Sequence, residues 1–320
     1  MIRSVVSLIV MAYLATLGLV AQAAPAVPAR EVSSSASVVF LNPGFSNEPF
    51  WVGYSDFMQA AADSLGMRLR ILYGERDPQR ILRDARSVLA DSDQPDYLVF
   101  VNEMYVGPEL LRLFAASPIK TFSLHSTLTP EQQSIIGGPR EQYRNWIGSL
   151  IPNDEEAGYW MAKALIGKLR GRSGSLLAFA GVRHTPSSSL REQGLQRALA
   201  EHPEVRLQQL VHGEWKRQRA YEQAQMLLQR YPDVRLVWSA NDEMAFGAMQ
   251  AFEEAGHTPG RDVLFGAVNS SPEALRARID QLGLSERVVI RLPYLPGQAV
   301  ADRSEARSEA GIEEHRFHVG

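Results

Sequence analysis

The sequence predicts an α/β fold of two doubly wound parallel-sheet lobes, on three observations. First, nine short apolar runs recur after Ser37: "SVVFLN", "RLRILYG", "YLVFVN", "KTFSLH", "IGSLIP", "SLLAFAG", "RLQQLVHG", "RLVWSAN" and "DVLFGAVN". Second, most of them are separated by stretches with helical spacing, such as Phe57, Ala60, Ala61 and Leu65, or Tyr221, Ala224, Leu227 and Leu228. Strands alternating with helices imply βαβ units, right-handed crossovers and a parallel sheet. Third, the rhythm breaks once, in the polar stretch "TLTPEQQSIIGGPREQYRNW", which divides the pattern in two.

Taken in order, the chain opens with a positive "MIR", a continuous apolar run and the small-x-small "AQA" ending at Ala23. This is the pattern of an export signal, so residues 1–23 are expected to be a cleaved signal peptide and the mature chain to work in the periplasm. Residues 24–36, rich in Pro, Ala and Ser, read as a flexible leader. The first four apolar runs give an N-terminal lobe over 37–128. The polar break sets the boundary, and the next five runs give a C-terminal lobe over 129–269. Residues from about 270 to 300 are expected to return to the N-terminal lobe. The charged stretch 301–320 reads as an irregular tail.

Composition narrows the function. The 320 residues are 45% hydrophobic and 22% charged, with a formal net charge of −3, so nothing favours a nucleic-acid partner. The absence of cysteine excludes disulfides, thiolate metal sites and cysteine nucleophiles. No GxSxG elbow, phosphate loop or HExxH is present, and the seven histidines are scattered. The expectation is therefore a non-enzyme with no catalytic residues, no cofactor and no metal.

What recurs instead is polar chemistry just past the strand ends, where open α/β sheets bind their ligands. The first strand leads to Asn47, Glu48, Phe50 and Trp51. The third ends at Asn102 and the fourth at His125. In the second lobe Arg191, Trp215, Asn241 and Asn269 occupy corresponding places. Amides, carboxylates and guanidinium groups beside flat rings suit a sugar or polyol, whose hydroxyls need fixed partners and whose C–H faces stack on aromatics. In "SANDEMAFG", Asp242 is expected to cap the following helix and Asn241 to face the cleft.

Three stretches resemble the type I periplasmic sugar-binding proteins of the ribose-binding group: "FLNPGFSNEPFWVGYSDFMQAAADSLGMRLRILYG", "YPDVRLVWSANDEMAFGAMQAFEEAG" and "DVLFGAVNSSPEAL". The resemblance implies two lobes joined by a hinge that close on one small ligand. It places Phe50 and Trp51 on the family's first-lobe aromatic pair, Glu48 on a polar contact and Trp215 on the second-lobe aromatic. Asn241 falls on a ligand-binding Asn. Asn269 falls where the family has an Asp, Ser123 and Leu124 stand in place of its Asp-Arg-like pair with His125 next, and Ser189 takes the place of its gripping Arg. Arg191 lies two residues further on. These departures imply a ligand other than an ordinary aldose.

The expected function is periplasmic solute binding, by a monomer that presents a carbohydrate-like ligand to an ABC-type permease. The alternative is a ligand sensor that signals to a membrane kinase or receptor.

Overall fold

A computed structural model of the chain describes residues 35–183 and 185–269. Nine strands and eight α-helices alternate through them. The first lobe runs β1 (Ser37–Asn42), α1 (Pro49–Ser64), β2 (Arg68–Tyr73), α2 (Pro78–Ala90) and β3 (Tyr97–Phe100). A single turn over Glu103–Tyr105 leads to α3 (Gly107–Phe114), then β4 (Lys120–Leu124), α4 (Pro130–Ile136) and β5 (Trp146–Leu150). The second lobe runs α5 (Asp154–Gly167), β6 (Gly174–Ala180), α6 (Pro186–Ala200), β7 (Val205–His212), α7 (Arg217–Arg230), β8 (Leu236–Ser239), α8 (Asp242–Glu254) and β9 (Leu264–Ala267).

Each of the nine apolar runs forms a strand. All pair in parallel, in one sheet of order β2-β1-β3-β4-β5 and another of order β7-β6-β8-β9. The central strands are apolar on both faces because helices cover both. In β6, every residue from Leu176 to Ala180 is buried. In β8, Trp238 is fully enclosed and its indole N–H donates to the Gly158 carbonyl on α5 at 3.3 Å. Burying side chains of this size contributes about 2 kcal/mol each. The first lobe has apolar clusters on either side of its sheet: α2 and α3 cover Leu98 and Phe100 on one side, and α1 covers Phe40, Val101 and Leu124 on the other.

The expected lobe boundary at residues 128 and 129 is corrected by the fifth strand. β5 pairs with β4, aligning Thr121 with Trp146 and Leu124 with Leu150, so it belongs to the first sheet. The polar stretch before it is an excursion of the first lobe. Thr129 and Gln132 form a reciprocal capping box that starts α4. Leu128, Ile136, Tyr143 and Trp146 are buried in the first lobe's core. These four apolar anchors hold the segment against the lobe, although Gly137, Gly138 and Pro139 end the helix between Ile136 and Tyr143. The chain crosses to the second lobe between β5 and α5. The segments expected to be a signal peptide over 1–23, nearly all of a leader over 24–36, a return over 270–300 and a tail over 301–320 lie outside the described residues. Among the described residues no helix is long and apolar enough to cross a membrane.

Candidate ligand-binding site

The two sheets share one strand order around their first strand, and their loops repeat in detail. After β2 comes Gly74-Glu75-Arg76; after β7 comes Gly213-Glu214-Trp215. In both, two consecutive residues take the left-handed conformation, with φ of 51° and 54° at Glu75 and Arg76 and 55° and 65° at Glu214 and Trp215. Such angles are uncommon outside glycine. Gly74 N–H donates to the Asn42 carbonyl at 2.7 Å, and Gly213 N–H to the Ala180 carbonyl at 2.9 Å. The turns close when Asp77 N–H reaches Gly74 (2.9 Å) and Lys216 N–H reaches Gly213 (3.0 Å). One loop design thus delivers a guanidinium from the first lobe and an indole from the second.

Both side chains reach a cavity of about 390 Å³ that is partly open to solvent. Every strand end from β1 to β4 and from β6 to β9 contributes to its wall. β1 supplies Glu48, Phe50 and Trp51, β2 Arg76, β3 Glu103 and β4 His125. In the second lobe Ser187 and Arg191 follow β6, Trp215 follows β7, Asn241 follows β8 and Asn269 follows β9.

The aromatic wall is packed on itself. Phe50 meets Trp51 edge-on at 5.0 Å, and the His125 ring lies 5.3 Å from each. Asn42 ties this loop to its strand: its amide donates to the Trp51 carbonyl and the Ser55 hydroxyl, while its oxygen accepts from Gly44 N–H. Two glycines give the indoles their room. A Cβ on Gly44 would come within 2.1 Å of Trp51, and one on Gly181 within 2.0 Å of Trp215.

The polar groups form a part-buried triad in the first lobe and a buried pair in the second. In the first lobe Arg76 Nε donates to Glu48 at 3.0 Å and Arg76 Nη1 to Glu103 Oε1 at 3.0 Å. Burial raises the Glu103 carboxyl above its ordinary range, Arg76 opposes that rise, and the Glu48 charge adds to it. In the second lobe Arg191 Nε donates to Asp154 at 2.8 Å and Arg191 Nη1 to the Ala240 carbonyl at 2.6 Å. Its guanidinium also lies 5.7 Å from the centre of the Trp215 ring. His125 is pushed down to about 4, chiefly by burial; Asp154 raises it and Arg191 lowers it. It is therefore neutral at neutral pH. Asn241 accepts from Met244 N–H at 2.9 Å and donates weakly to the Trp215 carbonyl at 3.4 Å. Among the described residues no group of His, Asp and Glu could hold a metal ion. The wall offers flat rings from both lobes with donors and acceptors of both signs, which is a surface for binding a polyhydroxylated ligand.

Comparison with known proteins places this geometry. A family model described as a periplasmic binding protein domain matches residues 149–301. The chain is 59% identical to a periplasmic sugar-binding protein from Pseudomonas fluorescens of known crystal structure, covering 77% of this chain and 72% of that one, with a TM-score of 0.70. The chain belongs to the type I periplasmic sugar-binding proteins. The ribose import binding protein of Salmonella typhimurium is 25% identical over 263 residues, 80% of this chain and 81% of that protein. The fold also matches the periplasmic binding component of the arabinose ABC transporter of Shewanella, with 22% identity, a TM-score of 0.68, and coverage of 77% of this chain and 78% of that one. The relatives are solute-binding proteins of ABC importers, not enzymes.

Within this sugar-binding protein, eight of the ten residues singled out from sequence line the cavity: Glu48, Phe50, Trp51, His125, Arg191, Trp215, Asn241 and Asn269. Two do not. Asn47 is exposed at a turn tip. Asn102 is fully buried and spends its amide on scaffolding, donating to the Thr127 carbonyl and Gln132 and accepting from Gly107 N–H. The division of labour at α8 is also corrected. Asn241 is itself the cap, through its bond from Met244 N–H, and it lines the cavity as well. Asp242 stands inside the first turn, buried, with its carboxylate accepting from Glu243 N–H. Sequence reasoning missed Arg76 and Ser187 and passed over Glu103 beside Asn102. For Arg76 a signal was present: Gly-Glu-Arg after the second strand matches Gly-Glu-Trp after the seventh.

Proposed function

We propose that this chain is an exported, monomeric solute-binding protein that takes one neutral, carbohydrate-like ligand between its lobes and presents it to an ABC-type permease. The observation that carries this reading is the cavity wall, drawn from the strand ends of both sheets: Phe50, Trp51, Arg76 and Glu103 come from the first lobe, and Arg191, Trp215 and Asn241 from the second. A sugar ring lying against these faces would bury its C–H surface and direct its hydroxyls to Arg191, Asn241 and Asn269. Because the contacts come from both lobes, the ligand favours the closed form by its differential affinity for that form. Lys216 Nζ lies 5.9 Å from the Phe45 ring, a contact between lobes that closure would keep.

The test is thermal unfolding of the purified protein against a panel of pentoses, hexoses in furanose and pyranose forms, and cyclitols. A ligand at about 100 times its Kd stabilises the folded state by about 2.7 kcal/mol, an easily measured rise in Tm. At least one neutral member is expected to produce it. A folded protein that gains no stability with any of them refutes the carbohydrate reading.

A further inference from the structure

We propose that Glu103 is a ligand-binding carboxylate whose second oxygen accepts a ligand hydroxyl, and that it restricts the site to neutral sugars over sugar acids and sugar phosphates. This rests on the carbohydrate reading above and names a residue that sets its specificity.

The loop after β3 places Glu103 at the cavity. Met104 and Tyr105 follow it with φ of 51° and 62°, a left-handed turn that α-helical continuation would not produce. The residue is 5% exposed yet lines the cavity. Its Oε1 is held by Arg76 Nη1 at 3.0 Å, and its Oε2 has no hydrogen-bond partner among the described residues. That oxygen is not sealed from its surroundings, so it can accept a hydrogen bond from a molecule that enters the cavity. The neighbouring carboxylate shows what full pairing looks like: both oxygens of Glu48 are taken by Arg76, and one also by Phe45 N–H. Of the two described acids that line the cavity, Glu103 is thus the one with an acceptor left to offer.

Arg76 is the positioning residue. It holds Glu103 from one side and leaves the other side to the cavity. The charges around the cavity give the second half of the proposal. Among the described residues Glu48 and Glu103 outnumber Arg76 by one, Asp154 matches Arg191, and His125 is neutral. An anionic ligand would meet this excess negative charge in a low-dielectric wall, where repulsion is strong. A hydroxyl group supplies the missing donor without that penalty.

Calorimetric titration of the full mature chain tests this with matched probes: D-galactose, D-galacturonate and D-galactose 6-phosphate, with the corresponding ribose, arabinose and glucose series. Glu103→Gln removes the charge, and Glu103→Asp keeps it while drawing the oxygen back from the cavity. Both are first checked by thermal unfolding without ligand. The expected result is a neutral sugar bound by the unaltered protein, its acid and phosphate bound at least about tenfold more weakly, and a loss of about tenfold or more in both variants, the scale of a hydrogen bond to a charged group. Sugar affinity unchanged in both folded variants overturns the role of Glu103 while leaving the carbohydrate reading intact. Acids or phosphates bound more tightly than neutral sugars overturn the specificity. No binding by any probe removes the carbohydrate reading and this inference with it.

Discussion

His125 makes the stability of this protein fall in mild acid, by an amount that follows from its surroundings. The ring ends β4 with φ of 61° and packs against Phe50, Trp51 and Tyr54 of α1, with Asp154 of α5 and Arg191 of α6 as the charges that act on it. Its protonation is pushed down to about 4, first by burial. In the unfolded chain a histidine titrates near 6.5. The folded state therefore refuses a proton that the unfolded state accepts between these values. The contribution is fully present above about pH 6.5, is lost as pH falls, and levels off below about pH 4. The gap of about 2.5 units corresponds to about 3 kcal/mol at the limit, and about 2 kcal/mol is lost between about pH 7 and pH 5. Glu103, raised by burial, acts in the opposite sense: its folded form takes up a proton first and gains stability as pH falls. A variant is needed to separate them. His125→Asn suits the left-handed backbone, which Asn tolerates. Urea unfolding of both proteins across this range gives the stability difference at each pH. That difference is expected to move by about 2 kcal/mol in favour of the variant toward pH 5. A difference that stays within about 0.5 kcal/mol would mean that the folded protein accepts the proton at His125, and the buried, neutral ring would be refuted.

Other perturbations probe the remaining parts of the site. Gly181→Ala drives a methyl into Trp215; it is expected to cut sugar affinity by about tenfold or more in the calorimeter with little change in the urea midpoint. Asn241→Ala is expected to cost about 1 kcal/mol of stability through the lost cap and to weaken ligand binding in the same preparation; a loss of only one of the two would break the double assignment. Arg76→Ala leaves Glu48 and Glu103 without their cation, and urea denaturation is expected to show a loss of about 3 kcal/mol. Arg191→Lys keeps a charge but gives up the simultaneous bonds to Asp154 and Ala240; affinity is expected to fall by more than tenfold while the fold survives thermal unfolding assays.

The strands were legible because each is an apolar run bounded by turn residues, and burial on both faces leaves no other use for such a run. The lobe boundary was not. Ile136, Tyr143 and Trp146 anchor a polar segment that Gly137, Gly138 and Pro139 interrupt, so no continuous helical or strand pattern marks them as core. At the site, aromatic and amide residues just past strand ends were readable from position alone. Asn102 and Asn241 occupy matching places after β3 and β8, yet one closes on Gly107, Thr127 and Gln132 while the other lines the cavity. That difference arises from tertiary packing. Nothing in "GERDPQ" alone marks Arg76 as a site residue; the left-handed turn, repeated at Trp215, carries it to the cavity.

The most direct test is a crystal structure of the mature chain grown with the tightest neutral sugar from the titrations. One sugar ring is expected in the cavity, stacked between Trp215 and the Phe50–Trp51 wall, with hydroxyls within hydrogen-bonding distance of Arg191, Asn241 and Glu103. A sugar bound elsewhere, or bound in the cavity by one lobe alone, would contradict it.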